Sequence, residues 1–218
     1  MSTTSASRGL FITFEGGDGS GKSTQMHRLA DRLRAAGYEV METAEPGGTA
    51  IGRQIRAILL DSANQELSAT TELLLYFASR AQNVDECIRP SLQRGAIVLS
   101  DRFTDSTIAY QGAARGLGRD VVMTIHRIAC REVNPDLTIT IDIDVETSLQ
   151  RAHARNRTLS GADEKRIDEE SAEFHRRVRE AYRELAHLEP DRIRMIDGNA
   201  DEATVAERVW DAVREHVR

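Results

Sequence analysis

The stretch "FEGGDGSGKST", Phe14 to Thr24, decides how the rest of the chain is read. It crowds Gly16, Gly17, Gly19 and Gly21 together and follows them with Lys22, Ser23 and Thr24. Glycine is costly in a helix or strand, so this density marks a backbone of special shape. Residues 16–23 fit the spacing G-x-x-x-x-G-K-[ST], between an apolar run, "LFITFE" (Leu10–Glu15), and the helix-periodic "STQMHRLADRLRAAG". Strand, loop, then helix is the setting in which that spacing means a phosphate-binding loop. Its glycines let successive N–H groups converge on phosphate oxygens, and the helix N-terminus adds partial positive charge. Lys22 is expected to reach the outer phosphates of ATP, and the Ser23 hydroxyl to ligate Mg²⁺. The expected nucleotide contacts are Gly16, Gly17, Asp18, Gly19, Ser20, Gly21, Lys22, Ser23 and Thr24.

Working outward, the helix after the loop places Met26, Leu29, Ala30 and Leu33 at helical spacing and stops at Gly37. "YEVMETA" reads as a second strand, and "AIGRQIRAILLD" as a helix with Ile51, Ile55, Ile58 and Leu59 on one side. A longer helix begins after the cap Ser68, kinks near Pro90 and ends at Gly95. "AIVLSDR", "DLTITIDID" and "RIRMID" supply three more strands, and the last helix presents Val205, Val209, Val213 and Val217. Strands alternating with helices predict an α/β domain of the P-loop NTPase kind, with a five-stranded parallel sheet flanked by helices. A single domain spanning 1–218 is expected, with 1–8 as a flexible tail. "RAHARNRTLSGADEKR" (151–166) is polar, arginine-dense and aperiodic in its middle, so it reads as a mobile lid or a solvated turn.

Composition narrows the function. A net charge of -6 argues against general nucleic-acid binding. No apolar run approaches the ~20 residues of a membrane helix, and a cytoplasmic protein is the default expectation. Cys87 and Cys130 show no metal-ligand spacing and are expected to be small buried apolar residues. Lys22 and Lys165 are the only lysines. The N-K-x-D element usual for guanine recognition therefore cannot exist here, which argues against a GTPase.

A second constellation follows the third strand, in "SDRFTDSTIAYQGAARGLG" (Ser100–Gly118). Asp101 and Arg102 stand at the C-terminal edge, where parallel sheets bind ligands. The carboxylate could hold Mg²⁺ or position an attacking oxygen, and the arginine could grip a phosphate. A structural salt bridge is the alternative.

Together with "EPGGT" (Glu45–Thr49) and "FASRAQ" (Phe77–Gln82), these motifs make the chain resemble bacterial thymidylate kinases from about Leu10 to the final helix. The resemblance implies phosphorylation of dTMP by ATP and Mg²⁺ in a homodimer. It assigns Asp18 to the sugar 3′-hydroxyl and phosphate environment, and Arg102 and Arg56 to the dTMP phosphate. It assigns Arg80 to thymine O4, Ser106, Thr107 and Gln111 to the substrate pocket, and Tyr110 to the wall beside the sugar C2′. Tyr76, four residues before Arg80, takes the base-stacking place, while Phe77 is expected in the core. The lid offers Arg151, Arg155, Arg157 and Arg166, of which Arg155 and Arg166 join Lys22, Asp101 and Arg102 as the expected catalytic set. The family's usual arginine before "EPGGT" is Ala44 here, which is expected to shift phosphate binding onto Arg102 and Arg56. Rival readings are another nucleoside or nucleotide kinase on the same scaffold, or a P-loop regulatory ATPase that transfers phosphate only to water.

Overall fold

The computed structural model of the chain describes residues 8–158 and 165–217. The strands β1 (Phe11–Glu15), β2 (Val40–Ala44), β3 (Ile97–Asp101), β4 (Leu137–Asp142) and β5 (Ile193–Asp197) form one sheet, in the order β2-β3-β1-β4-β5. Every neighbouring pair is parallel, as the alternating sequence pattern requires. β1 lies at the centre, so the loop that follows it emerges at the middle of the C-terminal edge.

The helices are α1 (Lys22–Ala35), α2 (Ala50–Leu60), α3 (Ala69–Asn83), α4 (Arg89–Gln93), α5 (Thr104–Thr107), α6 (Arg119–Ala129), α7 (Val145–Thr158), α8 (Ala172–Leu188) and α9 (Glu202–Val213). They cover both faces of the sheet. Met26, Leu29, Ala30 and Leu33 of α1 and Val205, Val209 and Val213 of α9 pack on Ile12, Phe14, Leu99 and Ile139. Leu73 and Phe77 of α3 and Leu185 of α8 pack on Phe11 and Val98, which point the other way. Neighbouring residues of a strand face opposite sides, and both sides are dry.

Ser68 caps α3 by accepting from the Thr71 N–H at 3.2 Å. The bend expected near Pro90 takes the form of a wide turn over Val84–Ile88, where the Arg89 N–H reaches back to the Val84 carbonyl. Proline lacks a donor and its ring crowds the preceding turn, so the register widens before it.

Three expectations are corrected. Of the apolar stripe of α2, Leu59 is buried, but Ile51 and Ile58 are each 48% exposed. The stripe is wider than the strip that α3 covers within this chain. α9 ends at Val213, so Val217 lies beyond it and packs on the same core from outside the helix. Cys130 is buried, whereas Cys87 is only partly so. Burial pushes the Cys130 thiol up to about 12, as an inert packing residue requires. Of the expected tail 1–8, residues 1–7 lie outside the described residues, and Arg8 is tied to Asp136 Oδ1 at 2.8 Å. Of the expected lid, α7 carries the chain to Thr158 and residues 159–164 lie outside the described ones.

Candidate active site

Gly16 has φ 128°, and a Cβ there would sit 2.4 Å from the Ile141 carbonyl oxygen. Only glycine combines that backbone angle with so close an approach. The loop it opens ends on the N-terminus of α1, where Lys22 is 6% exposed and donates to the Gly17 carbonyl at 2.8 Å. Burial and the neighbouring Arg102 push the Lys22 amine down to about 8. The loop turns back on itself around a cation that phosphate oxygens could claim.

Beside it lies a cavity of about 370 Å³. Its lining includes Asp18, Lys22, Ser23, Arg56, Tyr76, Arg80, Asp101, Arg102, Ser106, Thr107, Tyr110 and Gln111. Four separate stretches of sequence thus converge on one space, all at the C-terminal edge of the sheet. Tyr76 faces it, while Phe77 is 2% exposed in the apolar layer below. Their divergence follows from the ~100° turn between consecutive helical residues.

The "EPGGT" stretch builds one wall. Glu45 is buried, pairs with Arg80 Nε at 2.5 Å and accepts from Asn83 Nδ2 at 3.0 Å. Burial raises its carboxyl, opposed by Arg80. Gly48 permits this packing, because a Cβ there would lie 2.3 Å from Thr43 Oγ1. Thr49 then caps α2, accepting from Gly52 N–H at 2.9 Å. Arg80 also donates to the Phe103 carbonyl at 3.1 Å, and its guanidinium lies over the rings of Phe77 and Phe103. Arg80 Nη1 and Thr107 Oγ1 are buried with no hydrogen-bond partner among the described residues. Both belong to residues that line the cavity, so an acceptor such as a base carbonyl there would satisfy them.

The opposite wall centres on Arg102. Its guanidinium donates to Asp18 Oδ1 at 2.5 Å, Ser106 Oγ at 3.0 Å and Tyr110 Oη at 3.2 Å. Tyr110 in turn donates to Asp18 Oδ2 at 2.9 Å. Burial pushes the Asp18 carboxyl up, but Arg102 and Lys22 outweigh it and hold the group well below the usual range. Arg102 is held in an ion pair with Asp18 and still lines the cavity. Arg56 approaches from α2, donating to the Pro46 carbonyl at 3.0 Å. Ala44 lines the cavity where an arginine would have stood.

Ser23 Oγ donates to Asp101 Oδ2 in a short contact. One hydroxyl and one carboxylate side by side suit Mg²⁺, which takes few protein oxygens and completes its shell with phosphates and water. Thr24 is exposed on α1, one residue beyond this pair.

Arg166 departs from expectation. It is 3% exposed, donates to the Leu59 carbonyl at 2.5 Å and pairs with Glu72 Oε2 at 2.7 Å. It does not line the cavity, because the buried Glu72 carboxylate takes up its charge. Glu72 also holds Arg115 and accepts from Gln111 Nε2 at 2.8 Å. Arg166 thus anchors the start of the segment that leads into α8. The side chains of Arg155 and Arg157 lie outside the described residues, and Arg151 is exposed on α7.

Sequence reasoning missed Lys165 and Asp168, which line the cavity, and Glu15 and Tyr182, which lie beneath Arg102. The lone second lysine was a visible signal; nothing local marked the others.

A phosphate loop at the sheet edge, joined to a pocket lined by residues with unmet buried polar atoms, defines a P-loop nucleotide-binding phosphotransferase. The thymidylate kinase family profile matches residues 14–209. A thymidylate kinase of Pelobacter propionicus is 52% identical over 201 residues, covering 92% of each chain. One from Geobacter sulfurreducens is 49% identical over 209 residues, covering 96% of this chain and 98% of its own. The crystal structure of thymidylate kinase from Ehrlichia chaffeensis superposes with a TM-score of 0.76 at 33% identity, over 95% of this chain and 99% of that one. The chain belongs to the thymidylate kinase family.

Proposed function

We propose that this chain transfers the γ-phosphoryl group of ATP to dTMP, giving ADP and dTDP. The observation that carries the reading is that Arg80 and Thr107, whose Nη1 and Oγ1 atoms have no partner among the described residues, line the same cavity as Lys22 and Arg102. A thymine carbonyl would meet Arg80 Nη1, with the ring against Tyr76. The 5′-phosphate would lie toward Arg102 and Arg56, and Asp18 and Tyr110 would border the sugar. The monophosphate is already anionic near neutral pH, so its oxygen attacks the γ-phosphorus without a general base. A new P–O bond forms as the bond to the β-phosphate oxygen breaks, and ADP leaves. Lys22 exchanges the Gly17 carbonyl for phosphate oxygens and holds their charge through the transfer. Ser23 and Asp101 would hold Mg²⁺, which when bound neutralises and orients the ATP phosphates. The lid arginines Arg151, Arg155 and Arg157 are proposed to approach the transferring group.

Purified protein mixed with ATP, Mg²⁺ and each of dTMP, dUMP, dCMP and dAMP tests this. ADP is expected to form fastest with dTMP and not without an acceptor. Equal ADP formation with and without dTMP would sink the reading in favour of a hydrolase.

The half-exposed Ile51 and Ile58 of α2, with Leu74 of the adjoining α3, support the proposal that a second copy of the chain covers this surface. Light scattering on the purified protein is expected to give twice the 24.3 kDa chain mass; a monomer at micromolar concentration would refute the pairing.

A further inference from the structure

Arg102 does not sit in an ordinary conformation. Its φ is 72°, the left-handed region that a residue with a Cβ avoids. Three hydrogen bonds hold the turn: Arg102 N–H to the Phe14 carbonyl at 2.9 Å, Ser100 Oγ to the Arg102 carbonyl at 2.7 Å, and Phe103 N–H to Glu15 Oε1 at 2.7 Å. The side chain rests on the same carboxylate at one remove. Arg102 Nη1 donates to Ser106 Oγ at 3.0 Å and lies 3.5 Å from Tyr182 Oη. Both hydroxyls donate onward to Glu15 Oε2, Tyr182 at 3.0 Å and Ser106 in a shorter contact.

We propose that Glu15, at the end of β1, is a positioning residue that sets the geometry of Arg102 toward the substrate phosphate. This rests on the reading of Arg102 as the dTMP phosphate grip. Glu15 accepts from the Phe103 N–H and from the Ser106 and Tyr182 hydroxyls, which also lie 2.9 Å from each other, and so draws the protons of this pair toward its carboxylate. With their protons turned to the carboxylate, Ser106 and Tyr182 present lone pairs to the guanidinium. An acceptor-only group is required at this place. A proton on Oε2, or an amide nitrogen there, would turn a hydroxyl proton back toward Arg102 or leave a donor unmet.

The environment of Glu15 makes that condition sensitive to pH. It is fully buried, and burial with the nearby Asp105 pushes its carboxyl up to about 7, against Ser106, Arg102 and the Phe103 N–H. Lys22, Arg80 and Tyr182 are the other titratable groups that feel its charge. Asp105 is itself paired with Arg192 at 2.7 Å. Below about pH 7 Glu15 gains a proton, and the support for Arg102 is expected to fail.

Steady-state kinetics of Glu15→Gln test the proposal, with thermal melting to show that the variant is folded. The dTMP KM is expected to rise at least about tenfold at pH 8, with the ATP KM within about twofold of the parent. The dTMP phosphate itself titrates near pH 6, so the pH profiles of the two proteins are compared. The ratio of variant to parent dTMP KM should fall from pH 8 to pH 6, as the parent loses the ionised carboxylate that the variant lacks throughout. A dTMP KM within twofold of the parent, or equal rises in both KM values, would overturn the proposal. If Glu15→Gln does not fold, Tyr182→Phe decides: a dTMP-only KM rise of at least about threefold supports the proposal, and no rise overturns it. Failure of the underlying kinase reading would show separately, as a parent protein that does not phosphorylate dTMP.

Discussion

The two faces of the sheet come from the same strands and bury residues of opposite character. On one face Ile12, Phe14, Leu99, Leu137, Ile139 and Ile141 meet α1 and α9 in an apolar layer. On the other, Phe11 and Val98 give way toward the C-terminal edge to Thr13, Glu15, Ser100, Thr138 and Thr140, each 1% exposed or less. All but Thr140, whose hydroxyl has no partner among the described residues, are wired together and to the site. Thr13 and Thr138 share a hydrogen bond at 2.8 Å, and Thr138 donates to Asp105 at 2.9 Å. Arg192 closes that group, Ser100 holds the Arg102 carbonyl, and Glu15 holds Phe103, Ser106 and Tyr182. One face maintains the fold by excluding water; the other is a buried scaffold of directional bonds that aims the residues above it.

Changes on the two faces should therefore separate cleanly. The largest effect expected is on stability: Ile139→Ala empties part of the apolar layer and should cost about 2–5 kcal/mol in denaturant unfolding. Both KM values of the folded fraction should stay within about twofold; a selective change in either would break the division of labour between the faces. At the edge where the faces end, Lys22→Ala should lower kcat about a hundredfold, roughly 3 kcal/mol, with an unchanged melting curve. A variant that melts early instead would make the lysine part of the fold.

Tyr76→Ala should raise the dTMP KM about tenfold, roughly 1.4 kcal/mol, and leave the ATP KM alone. Its neighbour Phe77, buried on the polar-face side among Phe11 and Val98, should show the reverse pattern when changed to alanine. Exchange of those two outcomes would refute the assignment of the base platform. The smallest effect belongs to Thr13→Val. Thr138 keeps Asp105 and Arg192 as partners, so stability should fall by no more than about 1 kcal/mol with no change in either KM. A marked rise in the dTMP KM would show that the wiring extends further from Arg102 than its first hydrogen-bonded neighbours.

Much of this was legible before the structure. The glycine spacing of residues 16–23 and its strand–helix setting marked the phosphate loop, and apolar runs alternating with helical periods marked a parallel sheet. That Tyr76 and Phe77 diverge followed from helical geometry, and which of them meets the base from the resemblance to thymidylate kinases. α2 misled, because its apolar stripe has the same period whether a helix packs on its own core or leaves residues such as Ile51 and Ile58 half-exposed. "FITFE" was equally silent about its far side, since alternation of apolar with Thr and Glu reads alike for a wet face and for a buried polar one.

What the sequence by itself determined is the kind of group available at each place: a phosphate loop, a carboxylate and arginine at a strand end, aromatic and amide side chains on the helices around them. Those are local, because backbone shape and side-chain chemistry are written within a few residues of each other. What only the tertiary structure decided is which charges are spent on one another. Arg166 looked like Arg155 in the sequence, yet the fold desolvates it beside Glu72 and holds it there. Glu15 looked like the end of a strand, yet Tyr182, 167 residues away, comes to it as a donor. A charged side chain takes its role from what replaces its water, and the chain brings those replacements from distant segments that leave no mark on the residues nearby.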